Sequence, residues 1–275
     1  MKRVIACIFF LCIAASLMTG RSRQNTASDD LVSAKSRKAL RIVAYNVGVF
    51  SKYTEDSMPE TVRLMSDLDA DAIALCELDS CNRRHTAFQM KDFCDMMGTG
   101  WDFRFGAAMQ WNGGSYGIGA MTLSPILESF EIKIPKGGGH EPRMCVVVET
   151  KAYVLAAVHL DHKNEDVRTE QARVVTDELK SRYGRSRKPV FLCGDFNALP
   201  DSPTLGRLSE DWKVLSEMSP TYPAVSPTKC IDYIMALKNR ARYRVTGNGV
   251  CTEFESVDIR STSDHLPVFV DVKIR

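Results

Sequence analysis

The sequence predicts one α/β domain with a sheet-on-sheet core and helices outside, running from about residue 38 to the end. Three observations carry that expectation. From residue 41 onward, apolar strand-like runs alternate with amphipathic stretches. Several of those runs are continuously apolar and not alternating, so both of their faces must be covered. No internal repeat or interior linker interrupts the pattern. With 275 residues, 44% hydrophobic and 25% charged, the chain can bury a sizeable core. That composition excludes a disordered tail, a collagen-like repeat and a multi-span membrane protein.

The N-terminus stands apart from this domain. Lys2 and Arg3 precede an apolar run over residues 4–18, and Arg21, Ser22, Arg23, Gln24 and Asn25 follow at once. A basic start and a short apolar stretch are the pattern of a secretory signal peptide. The run is shorter than the ~20 residues a spanning helix needs. Residues 1–20 are therefore expected to direct export to the periplasm, cell surface or medium. Residues 21–37, polar and without periodicity, read as a tether. Removing the signal takes the 36 basic residues to 34, level with the 34 acidic ones, so the exported chain is formally neutral. Seven of nine cysteines remain; Cys76, Cys145 and Cys193 lie in apolar runs and behave as small hydrophobes. Cys81 and Cys94 are the one pair to consider as a disulfide. No C-x-x-C occurs, which removes support for a thiolate zinc site or a thioredoxin-like motif.

Strands are expected at 41–46, 72–77, 118–123, 145–149, 154–159, 190–193, 231–235 and 268–272, all rich in Val, Ile and Leu. Ser57-Met58-Pro59-Glu60 reads as a capping box opening a helix with Val62, Met65 and Leu68 on one face. A second helix is expected over about 86–97. A third, over about 164–182, turns Val167, Val175 and Leu179 inward.

Polar residues with chemical capacity stand at the strand ends. Asn46, Glu77 and His159 each end an apolar run; Asp195 and Asn197 follow another. Asp232 lies within another, Cys230-Ile231-Asp232-Tyr233-Ile234, and Asp264-His265 directly precede the last. Singly, an Asn or Asp after a strand begins a turn. Together, if the ends converge, they build one polar site on rigid supports.

The segments carrying them are Asn46, Glu77, His159-Leu160-Asp161, Gly194-Asp195-Phe196-Asn197, Ile231-Asp232-Tyr233-Ile234 and Ser263-Asp264-His265-Leu266-Pro267. In this order they resemble the endonuclease/exonuclease/phosphatase superfamily, the deoxyribonuclease I-like fold, over about residues 41–274. The resemblance implies a four-layer α/β sandwich of two packed mixed β-sheets flanked by helices, with residues 38–275 as the catalytic domain. It implies phosphoester hydrolysis with Mg²⁺ or Mn²⁺. By the same resemblance Asn46, Glu77 and Asp264 are metal ligands, and hard oxygens of this kind suit magnesium. Asp195 and Asn197 would orient the attacking water, with Asp195 as base. Asp232 would hold His265 as a phosphate-binding imidazolium, and His159 would contact phosphate or assist the leaving oxygen. No residue resembles a covalent nucleophile, so direct in-line attack by water is implied.

Other residues carry two readings. Tyr116, in Trp111-Asn112-Gly113-Gly114-Ser115-Tyr116-Gly117, either donates to phosphate or packs in a glycine-rich hairpin. Arg143 either meets substrate or pairs at the surface, and Arg168 and Gln171 share a helix face in a structural role. Lys238, Arg240, Arg242 and Arg244 alternate, so a strand would display them as one basic row, either a solvated edge or a phosphate contact. Trp101, Phe103, Phe105 and Trp111 are strand core or a membrane-facing hairpin. Cys76 departs from the family, which often carries glutamine there, and cysteine cannot supply the same amide bonds.

The expected activity is thus an exported, metal-dependent phosphoesterase acting on a phosphodiester or phosphomonoester, with nucleic acid as leading substrate. The alternatives are a lipid or inositol-phosphate headgroup phosphoesterase, or a non-catalytic binding module on the same fold. No obligate protein partner is evident, and a monomer is expected.

Overall fold

The computed structural model describes residues 34–275; the expected export signal, residues 1–20, and most of the expected tether lie outside the described residues. The first half comprises β1 (Leu40–Asn46), α1 (Met58–Asp67), β2 (Ala72–Ser80), α2 (Gln89–Met97), β3 (Asp102–Trp111), β4 (Gly114–Thr122), β5 (Glu128–Ile134) and β6 (Arg143–Glu149). It continues with β7 (Val154–His159), α3 (Glu165–Tyr183), β8 (Val190–Asp195), α4 (Pro203–Asp211), β9 (Trp212–Val214), β10 (Asp232–Leu237), β11 (Tyr243–Val250), α5 (Ile259–Thr262) and β12 (Val268–Ile274).

The strands form two six-stranded sheets, ordered β11-β12-β1-β2-β4-β3 and β5-β6-β7-β8-β10-β9. Each is mixed, with one parallel pair near its centre: β1 with β2 in the first, β7 with β8 in the second. The continuously apolar runs are these central strands, and β7, β8 and β10 are buried at every position. Between the sheets lies a core that includes Ala44, Ala74, Cys76, Ala157, Phe191, Cys193 and Ile234. A second core packs α1 and α2 on the first sheet through Leu64, Met65 and Phe93; a third packs α3 and α4 on the second through Val175, Leu179 and Leu205. The order helix, sheet, sheet, helix is the four-layer α/β sandwich that the sequence implied.

Arg41 on β1 stands opposite Asp271 on β12. Its guanidinium donates to both carboxylate oxygens at 2.7 and 2.8 Å and to the Leu68 carbonyl at 2.7 Å. Both side chains are within 3% of full burial, so the pair survives only because each group satisfies the other. Lys35 bonds Asp71 and the Asp69 carbonyl at 2.8 Å each, so the end of the expected tether is already tied to the domain.

Several expectations are corrected. The Ser57 hydroxyl does not cap α1; it donates to the Thr262 carbonyl, and Asp56 accepts from Met58 N–H instead. The capping box fails because a tertiary bond to α5 captures its first member. Cys81 and Cys94 are unpaired, the first exposed and the second buried on α2. Asn112-Gly113 make the β3–β4 hairpin turn with left-handed backbone, and Tyr116 lies within β4. The basic row does not form: Lys238, Arg240 and Arg242 lie between β10 and β11, and only Arg244 is in a strand. Asn239 shapes that connection, donating to the Tyr183 and Lys188 carbonyls and accepting from Ala241 N–H. The connection follows Leu237, at the opposite end of β10 from Asp232. Phe103 and Phe105 pack with Phe88 beside α2, whereas Trp111 is 43% exposed.

Candidate active site

The chemistry-bearing residues converge because the carboxyl ends of both parallel pairs open on one side of the sandwich. Asn46 ends β1, His159 ends β7 and Asp195 ends β8, with His159 and Asp195 in register. Asp232 begins the antiparallel β10 opposite Asp195. The first residue of the Gly-Asp-Phe-Asn motif is glycine for a steric reason. Gly194 has φ +141°, and a Cβ there would lie 2.0 Å from the Val158 carbonyl oxygen.

Glu77 arrives by a bulge. Leu75 and Leu78 both face the α1–α2 layer although they are three apart, and the pairing with β4 shifts between them. The extra residue turns Glu77 out of the alternation at φ +61°. Cys76, one place earlier, points into the inter-sheet core and its thiol donates to the Val158 carbonyl at 3.3 Å. Burial, followed by the Asp195 charge, pushes that thiol well above its usual range. The glutamine-to-cysteine departure thus falls on a side chain that faces the other sheet.

These groups meet at a cavity of about 500 Å³ lined by Glu77, His159, Asp195, Asn197, Asp264 and His265, with Lys52, Arg143, His162 and Lys229 among its cationic or imidazole groups. Asp195 is 2% exposed. One of its oxygens accepts from Asn197 N–H at 2.8 Å, the other from the Asn46 amide at 3.1 Å. Burial raises its pKa to about 7, against the opposing pull of His265. Asn197, itself at φ +50°, donates its side-chain amide to the Leu160 carbonyl.

His265 Nδ1 lies 2.9 Å from Asp232 Oδ2, and its Nε2 lies 3.7 Å from Asp195. Burial opposes charge on this ring, but Asp232, Asp195 and Asp264 outweigh it and raise its pKa to about 10. Thr221 donates to the same Asp232 oxygen at 2.5 Å, leaving Asp232 Oδ1 buried without a partner. The Ser263 hydroxyl donates to the Asn46 carbonyl and accepts from His265 N–H, which ties the Ser-Asp-His segment to the end of β1.

His159 has the opposite character. Burial, then Arg143, His265 and His162, drive its pKa well below the ordinary value. Arg143 donates to its Nδ1 at 2.8 Å. A guanidinium has no acceptor, so the neutral ring carries its proton on Nε2, 3.4 Å from Asp195. Arg143 is 5% exposed and also reaches Glu141 at 2.8 Å and His162 Nδ1 at 3.2 Å. It is a buried wall of the cavity, not a surface pair. Arg168 and Gln171 hold the segment after β7: Arg168 donates to the Asp161 carbonyl, and Gln171 accepts from Asp161 N–H.

Tyr116 is 8% exposed and does not line the cavity; burial, then the Glu77 charge, keeps its phenol neutral. Asn46 stands at the end of β1 beside these carboxylates. Its amide oxygen accepts from Gly48 N–H at 3.1 Å, and its NH₂ bridges Glu77 and Asp195. Lys52, Glu141, Tyr222 and Lys229 are among the cavity-lining groups that had no sequence expectation attached. His162 directly follows the His159-Leu160-Asp161 segment, and that adjacency was the available signal.

Two groupings bear on a metal. Ligand atoms of Asp195, Asp232 and His265 all lie within 4.8 Å of one another, so this buried group could hold an ion. Asp232 and His265 already spend an oxygen and a nitrogen on each other there. Glu77 and Asp264 instead turn hard oxygens to the cavity, with the Asn46 amide donating to Glu77 at 3.1 Å and the Lys52 ammonium 2.8 Å from Asp264. A carboxylate pair already balanced by a cation has the donor chemistry a divalent ion takes.

Comparison with known proteins agrees with this fold. The profile of the Endonuclease/Exonuclease/phosphatase family matches residues 43–265. The mannosyl-6-phosphatase of Bacteroides thetaiotaomicron superposes with TM-score 0.70 at 20% identity, over 86% of this chain and all of that one. An endonuclease/exonuclease/phosphatase from Beutenbergia cavernae gives 0.69 at 20%, over 86% of this chain and 72% of that one. The human Nocturnin catalytic domain, solved with a sulfate anion, gives 0.63 at 17%, over 88% and 97%. Comparison with curated proteins gave no match. A pattern spanning most of the domain, on the fold and strand ends described, places this chain in the Endonuclease/Exonuclease/phosphatase family.

Proposed function

We propose that this protein is an exported, divalent-metal-dependent phosphoesterase that hydrolyses a compact phosphodiester or phosphomonoester by direct attack of water. The observation that carries the reading is geometric: Asp195 and His265 face one cavity, with His265 Nε2 3.7 Å from Asp195 and Nδ1 2.9 Å from Asp232. Burial raises the carboxyl pKa to about 7, while the surrounding carboxylates raise that of the imidazole to about 10. Asp195 ionised is a base near neutrality. His265 is a cation over the same range and offers Nε2–H to a phosphoryl oxygen. Asn197 and Asn46 fix the carboxylate so that it receives a proton without turning. His159, neutral, directs Nε2–H toward the same centre. A metal ion held by Glu77 and Asp264 would offset charge on a non-bridging phosphate oxygen. A cavity of about 500 Å³ suits a small phosphorylated molecule. Lys238, Arg240 and Arg242, expected as part of a basic row that was either a solvated edge or a phosphate contact, follow β10 at the end away from Asp232. Export rests on the N-terminal sequence pattern.

The pH profile tests the pairing. Asp195 must lose its proton and His265 must keep its own, so kcat/KM should rise through about pH 7 and fall near pH 10. Because the groups interact, the two limbs belong to the pair. A profile flat from pH 6 to 10 overturns the assignment.

The direct test is turnover of bis(p-nitrophenyl) phosphate with Mg²⁺ or Mn²⁺ and after chelation, alongside sugar phosphates, inositol phosphates, sphingomyelin, RNA and duplex DNA. Metal-dependent hydrolysis, abolished by chelator and strongest on a small ester, is expected. A folded protein inert toward the whole panel would make it a binding module, and a preference for duplex DNA would restore the nuclease reading.

A further inference from the structure

Six residues beyond the end of β1, an unassigned lysine stands among the carboxylates. After Asn46 the chain makes a left-handed turn, with Gly48 at φ +52°, Val49 at +52° and Phe50 at +55°. A β-branched residue and a bulky aromatic seldom adopt such values, and they persist only where surroundings over-determine them. Here they do. Gln89 donates its side-chain amide to the Val49 carbonyl at 2.7 Å, and Ser57 N–H donates to the Phe50 carbonyl at 2.7 Å. The Phe50 ring stacks on buried Phe93 at 5.5 Å.

The product of this turn is the position of Lys52. Its stem lies over Gly48 so closely that a Cβ on Gly48 would stand 3.2 Å from Lys52 Cβ. Its Nζ sits 2.8 Å from Asp264 Oδ2. Burial opposes its charge, yet Asp264 and the nearby Glu77 outweigh that and raise its pKa. The side chain remains 41% exposed, so it is free to swing from this contact.

We propose that Lys52 is a resident counter-ion of the metal site: its ammonium holds Asp264 before metal binds, must give that oxygen up to the divalent ion, and then serves as a ligand to the phosphoryl group of the substrate. This rests on the phosphoesterase reading of the cavity. The exchange needs no proton and no redox partner. One cation replaces another on Asp264, and the released ammonium, with three donors and a flexible stem, finds an anion within the same cavity.

Calorimetric titration with Mn²⁺, and then with inorganic phosphate at saturating Mn²⁺, tests the exchange without turnover. Lys52→Met should bind Mn²⁺ about fivefold more tightly than the unsubstituted protein, the scale of a partly exposed ion pair. Its phosphate affinity should fall by at least the same factor. Lys229→Met removes another cavity lysine that has no bond to Asp264, and isolates the general effect of lost charge. Tighter Mn²⁺ binding in Lys52→Met well beyond that in Lys229→Met, with weakened phosphate binding, supports the proposal. Equal shifts in both variants, or unchanged Mn²⁺ affinity in Lys52→Met, overturn it. If no variant and not the unsubstituted protein binds Mn²⁺, the metal-dependent reading itself falls. Matching thermal transitions establish that Lys52→Met is folded, and Lys52→Arg, which keeps the charge, should bind Mn²⁺ as the unsubstituted protein does.

Discussion

Asp195→Asn should cut phosphoester hydrolysis by about 10²–10⁴-fold, the range that a positioned general base contributes. The amide keeps the shape of the carboxyl: its one oxygen can still accept from Asn197 N–H, while its NH₂ replaces the oxygen that accepted from Asn46 and that single bond is lost, so the cavity is retained. The loss should appear in kcat, with Mn²⁺ affinity little changed, because Glu77 and Asp264 are untouched. Stability gives an independent check. A carboxyl with folded pKa raised to about 7, against about 3.9 when unfolded, binds its proton more tightly in the folded state. Folded stability is therefore lost as pH rises from about 4 through about 7. Asn removes that penalty, and the variant should melt no lower than the unsubstituted protein at pH 8. Retained activity, or a collapse in melting temperature, would remove Asp195 from the base role.

Arg41→Met should be the most damaging substitution away from the cavity, destabilising the domain by about 3–5 kcal/mol. Methionine fills much of the space but leaves the Asp271 carboxylate, 2% exposed, without its bidentate partner. It also strands the Leu68 carbonyl at the end of α1. For a domain of this size the melting temperature should drop by roughly 10 °C. The double variant Arg41→Met/Asp271→Leu removes both charges and should recover most of the loss, as buried pairs replaced by apolar groups often do. A single variant as stable as the parent, or a double variant no better than the single, would show that the pair is not what fixes β1 against β12.

How far the sequence revealed this molecule depended on the kind of signal. Central strands such as β7 and β8 are apolar throughout because both faces are covered, and their ends were legible because His159 and Asp195 interrupt that apolar code. β3, β5 and β11 were harder. They sit toward the sheet edges and mix polar with apolar residues, so no continuous run announced them. The row from Lys238 to Arg244 misled for a related reason. Alternation of charge is a strand signal only inside a strand, and Asn239 makes that stretch a connection by bonding two distant carbonyls. Ser57 carried a genuine local cap pattern that a tertiary partner, Thr262, overrode. Lys52 was invisible because its place depends on three left-handed residues, and only one of them, Gly48, is a glycine. Arg143 was seen as a candidate but not as the group that dictates the His159 tautomer. That role requires β6 and β7 to be adjacent, a pairing the sequence does not write down.

The division of the cavity between two sheets has a consequence for how this protein can vary. Asn46, Glu77, Asp264 and His265 belong to one layer; His159, Asp195 and Asp232 belong to the other. The spacing from His265 to Asp195 is therefore set by what fills the gap between layers, including Ala44, Ala74, Cys76, Ala157 and Cys193. Those side chains are small, and close-packed interiors transmit a change of even one methylene. The thickness of that hydrocarbon seam is in effect a reaction coordinate frozen into the scaffold. A residue that never meets substrate can retune the chemistry simply by widening it.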